Sequence, residues 1–101
     1  MNKEQKEILI DAVRVLGAEN SAVKFIEEMS EATQTVCKWL EGIEDYEHIC
    51  EEMADVSITF YKFAYALFQE KPWAKARFEQ IQADKIQSLK ELIHENENNP
   101  H

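Results

Sequence analysis

Apolar side chains recur three and four positions apart over most of the chain, the period that lays them along one face of an α-helix. Ile8, Leu9, Ala12, Val13 and Leu16 form such a face, so the pattern predicts a helix over Lys3–Leu16 that stops at Gly17. Asn20 or Ser21 suits the cap of a second helix, expected to reach Glu41 before Gly42 ends it. Asp45 suits the cap of a third, from Tyr46 to Glu70. Pro72 disfavours helix at Lys71 and fits the first turn of a fourth, from Trp73 to Glu95. The closing letters HENENNPH read as a polar tail that frays.

The third helix carries two apolar seams. Ile49, Met53, Val56, Phe60, Phe63 and Leu67 make one, and Ala54, Ile58, Tyr61, Tyr65 and Phe68 make another about 100° round the helix. The second helix is similar, with Ile26, Met29, Val36 and Leu40 on one line and Phe25, Ala32 and Trp39 on another. That is more apolar surface than one small bundle covers, and a homodimer or homotetramer is expected.

Composition narrows the class. The chain has 101 residues, 45% hydrophobic and 31% charged, with two glycines and two prolines, which fits one all-α domain over residues 1–95 and a polar tail over 96–101. A formal net charge of −9 argues against binding to a nucleic-acid polymer or an anionic membrane, since both need a basic face. The opening letters MNKEQKEILIDAV show no basic segment followed by an apolar stretch and cleavage site, so a cytoplasmic location is expected. Cys37 and Cys50 are nearly equidistant from the turn at Gly42–Asp45 and could meet across it. The expected state is nevertheless a pair of reduced, buried thiols.

Two words within the helices are near copies: EEMSEATQ from Glu27 and EEMADVSI from Glu51, 24 positions apart. Glu28 and Glu31 are three apart and share a helix face, as do Glu52 and Asp55. A short linker makes the two helices an antiparallel hairpin, and the pairs then differ in axial height by about 6 Å, a gap that glutamates and bridging cations can span. Four carboxylates gathered beside apolar seams repel one another and call for a cation. An all-oxygen donor set without thiolate or imidazole favours a hard ion, Mg²⁺ first, with Mn²⁺ able to substitute. Lys62 lies on the stripe of Glu52 and Asp55, Lys24 one turn before Glu28, and Trp39 on the stripe of Glu28, Ala32 and Thr35.

The two words together resemble the paired acidic signature of the MazG-like, all-α nucleoside triphosphate pyrophosphohydrolases, a superfamily that includes all-α dUTPases and dCTPases. The resemblance covers Phe25 to Phe68 closely, and the four-helix layout extends it. It implies a four-helix, bundle-like fold completed by self-association, with Glu28, Glu31, Glu52 and Asp55 as Mg²⁺ ligands. It also implies a nucleoside triphosphate substrate cut between the α and β phosphates to give a nucleoside monophosphate and pyrophosphate; for that substrate Lys62 and Lys24 are candidate phosphate contacts and Trp39 could stack the nucleobase. A basic residue on a later helix is implied too, for which Lys85 is the first candidate, ahead of Lys75 and Arg77. The general base stays open among the four ligands, Glu27 and Glu51.

Two other classes fit parts of the pattern. Asp45 with His48 and Glu91 with His94 have the carboxylate and histidine three apart, the spacing used in di-iron helical bundles. A non-enzymatic oligomerisation module would explain the apolar seams but not the matching carboxylate pairs.

Overall fold

The computed structural model describes residues 1–99 and is all-helical there, with four helices and no strand: α1 Lys3–Leu16, α2 Ala18–Leu40, α3 Tyr46–Glu70 and α4 Trp73–Asn98. The chain divides into two compact units, Met1–Glu70 with the first three helices, and a second that begins at Lys71 and holds α4. No helix among the described residues is long and apolar enough to cross a membrane.

Local chemistry accounts for the helix ends. At the start of α1, Gln5 N–H donates to Asn2 Oδ1 (2.8 Å) and Asn2 N–H donates to Gln5 Oε1 (2.9 Å), a reciprocal cap that satisfies two otherwise orphaned donors. Gly17 has φ 93°, a conformation that side chains with a Cβ rarely adopt, so α1 ends and α2 starts across a single residue. The expected start of α2 at Asn20 or Ser21 is therefore late. Ser21 is not a cap: it is buried one turn inside the helix, its hydroxyl donating to Gly17 O at 3.1 Å.

Gly42, also at φ 93°, closes α2 in the expected way: its N–H donates to Trp39 O and that of Ile43 to Lys38 O, both at 3.0 Å. Asp45 caps α3 as expected, its Oδ1 accepting from His48 N–H at 3.1 Å. Helix α4 starts at Trp73 as expected but runs three residues past Glu95. Residues 96–98 are thus helical where fraying was expected. The HENEN segment holds no glycine or proline, so nothing breaks the helix before the neighbourhood of Pro100. Pro100 and His101 lie outside the described residues.

In the first unit α1 packs on both α2 and α3, which pack on each other. Phe25, early in α2, stacks on Phe63 (centroids 5.7 Å apart) and meets Phe60 edge-on (5.8 Å), both late in α3, so the two helices run antiparallel. The least exposed residues of α2 follow the line Ser21, Phe25, Glu28, Ala32 and Thr35; those of α3 follow Glu52, Val56, Thr59, Phe63 and Ala66. Both lines step by four and three, as a helix-packing seam should. They match the expected seams only in part, at Phe25 and Ala32 on α2 and at Val56 and Phe63 on α3. Met53 is 63% exposed and Phe60 41%, and a carboxylate and small hydroxyls occupy inner places instead.

In the second unit none of the described residues of α4 is buried. Phe78, Ile81, Ile86 and Leu89 stay exposed along it. Among the described residues, the buried apolar side chains are Val13 and Ala66. Cys37 and Cys50 are free thiols, and both are exposed; the expectation of buried cysteines is corrected, since each turns away from its helix's inner line.

Candidate metal centre on the α2–α3 hairpin

Position on the inner lines decides what the acidic words become. Glu28 and Glu52 belong to those lines, whereas Glu31 and Asp55 stand on their exposed flanks. One oxygen each from Glu28, Glu31 and Glu52 lie within 4.8 Å of one another. Asp55 falls outside that trio but is close enough for its charge to act on Glu28.

Electrostatics at the trio are unfavourable without a cation. Glu28 Oε2 and Glu52 Oε2 are buried and have no hydrogen-bond partner. Glu52 as a residue is 8% exposed. The Glu28 carboxyl is pushed above its ordinary value, first by burial, then by the negative charges of Glu31 and Asp55, with a hydrogen bond to Glu31 and the charge of Glu52 adding to it. Orphaned buried oxygens of this kind carry a desolvation cost that a metal ion would offset. Three carboxylate oxygens gathered in this way are a donor set that would suit a hard ion such as Mg²⁺, which commonly keeps water in the rest of its shell.

The repeat is longer than the two words. Lys24 Nζ donates to Glu27 Oε2 at 3.2 Å, and His48 Nδ1 lies 3.8 Å from Glu51 Oε2, so each leading glutamate faces a basic residue three positions earlier. Lys24 and His48 are themselves 24 positions apart. At the other end Thr35 and Thr59, again 24 apart, are both buried, and their hydroxyls donate to Glu31 O (3.1 Å) and Asp55 O (2.8 Å). The Phe25 contacts set a register that puts Thr59 nearly level with Glu28, and Thr35 with Glu52. A small side chain opposite each inner glutamate leaves room for its carboxylate. Sequence reasoning missed both threonines, although their matching position eight residues after the leading glutamate was a visible signal.

The remaining candidates are scattered. Lys62 is half-buried on α3, one turn past Thr59, and makes no ion pair among the described residues. Lys24 is exposed and held by Glu27. Trp39 is 47% exposed in the last turn of α2, where it was expected to offer an indole face. Lys85 lies on α4 in the second unit, lining a groove of about 300 Å³ with Phe78, Ile81, Gln82, Ile86 and Leu89. Of the residues whose spacing suggested a di-iron centre, Asp45 caps α3 through Oδ1 and the His48 ring faces Glu51 and Glu52, while Glu91 and His94 lie on α4 in the second unit. No family model, no curated protein and no solved structure matches the chain.

Proposed function

We propose that this chain is a MazG-like nucleoside triphosphate pyrophosphohydrolase whose metal ions sit on the α2–α3 hairpin. The observation that carries the reading is the meeting of Glu28, Glu31 and Glu52 with two of their oxygens buried and unpartnered. Together with Asp55 they would hold Mg²⁺, or Mn²⁺ in its place. Such ions, when bound, neutralise triphosphate charge and lower the pKa of a coordinated water. A protein of net charge −9 has no other evident way to hold a polyanion beside four carboxylates.

In the reaction, water adds to the α phosphorus, the bond from that phosphorus to the α–β bridging oxygen breaks, and the products are a nucleoside monophosphate and pyrophosphate. Lys62, which makes no ion pair among the described residues, meets the phosphates from α3, with Lys24 beside the first word. The exposed indole of Trp39 stacks the base. Self-association into a dimer or tetramer covers apolar side chains that one chain leaves exposed, such as Ile81, Ile86 and Leu89. Clearing or regulating the cytoplasmic nucleotide pool is the role this activity would serve.

The test is product release from a panel of ribo- and deoxynucleoside triphosphates with Mg²⁺ or Mn²⁺, wild type beside Glu52→Gln. Equimolar monophosphate and pyrophosphate from the wild type alone are expected. Release of diphosphate and orthophosphate, or turnover that survives in Glu52→Gln, would sink the reading.

A further inference from the structure

The metal-centre reading began from an all-oxygen donor set, and the structure adds a nitrogen at its edge. His48 and Glu52 are four positions apart on α3, the helical spacing that lets two side chains chelate one ion. His48 Nε2 lies 3.7 Å from Glu52 Oε1. That exceeds a hydrogen bond, but it falls between the about 3.0 Å separating neighbouring ligands and the about 4.2 Å separating opposite ligands of one octahedral ion.

The two oxygens of Glu52 therefore have different surroundings. Oε1 faces the imidazole, and Oε2 is buried with no partner. On the far side of the ring, Nδ1 lies 3.8 Å from Glu51 Oε2, the order of groups in which an outer carboxylate orients a metal-ligating histidine. The His48 side chain is 44% exposed, so it has freedom to close on an ion.

We propose that His48 is a metal ligand and, with Glu52, makes the second half of the hairpin a mixed nitrogen–oxygen site that prefers a first-row transition ion, Mn²⁺ or its neighbours, to Mg²⁺. The inference rests on the metal-centre reading above and makes it more specific. Its physical basis is that imidazole binds these ions well and Mg²⁺ poorly, whereas carboxylates alone discriminate little. The matching place before the first word holds Lys24, whose ammonium has no lone pair to offer. The hairpin thus has a hard half and a borderline half. Glu51, unexplained by the sequence, gains the task of steering the ring.

Electron spin echo spectra of the Mn²⁺-loaded full chain, with Mn²⁺ and Mg²⁺ titrations of wild type and His48→Ala, test this without reference to turnover. Nitrogen modulation from a bound imidazole is expected in the wild type and absent in the variant. Mn²⁺ affinity should fall about tenfold or more in His48→Ala, while Mg²⁺ affinity changes less than about twofold. Circular dichroism of both proteins checks that the exposed substitution leaves the helices formed, and His48→Gln should reproduce the loss of modulation. Mn²⁺ bound by the wild type without nitrogen modulation, or an unchanged preference between the ions in the variant, would overturn the inference and leave the carboxylate centre standing. Binding of neither ion by the wild type would overturn both.

Discussion

The two halves of the hairpin spell nearly the same pattern and put it to different uses. In each, a basic residue, a leading glutamate, two candidate ligands and a threonine fall at the same offsets: Lys24, Glu27, Glu28, Glu31 and Thr35 in α2, and His48, Glu51, Glu52, Asp55 and Thr59 in α3. Yet Glu52 is buried while Glu28 is only partly so, and Asp55 stands outside the close trio that Glu31 joins. Aspartate is one methylene shorter than glutamate, which accounts for its shorter reach. The basic positions diverge further, since lysine offers only charge and histidine also a lone pair. A shared spacing therefore fixes which residues converge, while burial and side-chain length decide which of them can bind.

The largest expected effect comes from setting ligand against ligand within the second word. Glu52→Gln should weaken Mn²⁺ or Mg²⁺ binding by about 100-fold or more, because it removes the most buried carboxylate of the trio. Asp55→Asn, outside the trio, should lose about tenfold or less. Isothermal titration of the two variants checks the ranking; an equal loss would mean that Asp55 binds as fully as Glu52 and that membership of the close trio does not mark the stronger ligand.

A smaller effect should follow from filling the space opposite Glu28. Thr59→Leu adds volume to a tightly packed inner line and is expected to cost about 1–3 kcal/mol, read as a lower urea midpoint with unchanged slope. Val15→Leu is the exposed control, at a residue 74% open to solvent, and should stay within about 0.5 kcal/mol of wild type. If Thr59→Leu is neutral, the small residue is not what makes room for the carboxylate.

How far the sequence carries this picture differs by element. Helix type and most ends were legible because their causes are local: Gly17 and Gly42 stop helices, Asp45 caps one, and Pro72 precedes another. The start of α2 was misplaced because a good capping letter, Ser21, is used inside the helix as a buried hydroxyl. The paired carboxylates were legible from spacing and hairpin geometry. That Glu52 lies on the inner line was not, because a hydrophobic-seam reading assigns the interior to the most apolar residues and sends Met53 inward, where the structure turns it out to 63% exposure. Only packing against α1 and α2 together sets the rotation of α3 about its own axis. For the same reason the pairing of Lys24 with Glu27 and His48 with Glu51 was hidden: spacing permits such contacts without showing which ones form.

The smallest effect probes the first word through protons. Folding raises the Glu28 carboxyl above its ordinary value of 4.5, with burial the leading cause and neighbouring carboxylates next. Between that ordinary value and the raised one, the folded chain holds a proton that the unfolded chain has released. Rising pH through this window therefore lowers the stability of the metal-free protein, and acidification from neutrality toward the window restores it. In Glu28→Gln the contribution is gone, so melting temperature in the presence of a chelator should fall less steeply with rising pH than in wild type. A saturating divalent ion competes with the same proton and should turn the wild-type trend the other way, since ligands must be deprotonated to bind. Melts of both proteins across mildly acidic to neutral pH, with and without Mg²⁺, measure this directly. Parallel slopes for wild type and Glu28→Gln in chelator would show that the repulsion is relieved elsewhere, and the half of the hairpin that carries the strain would then have to be sought around the more deeply buried Glu52.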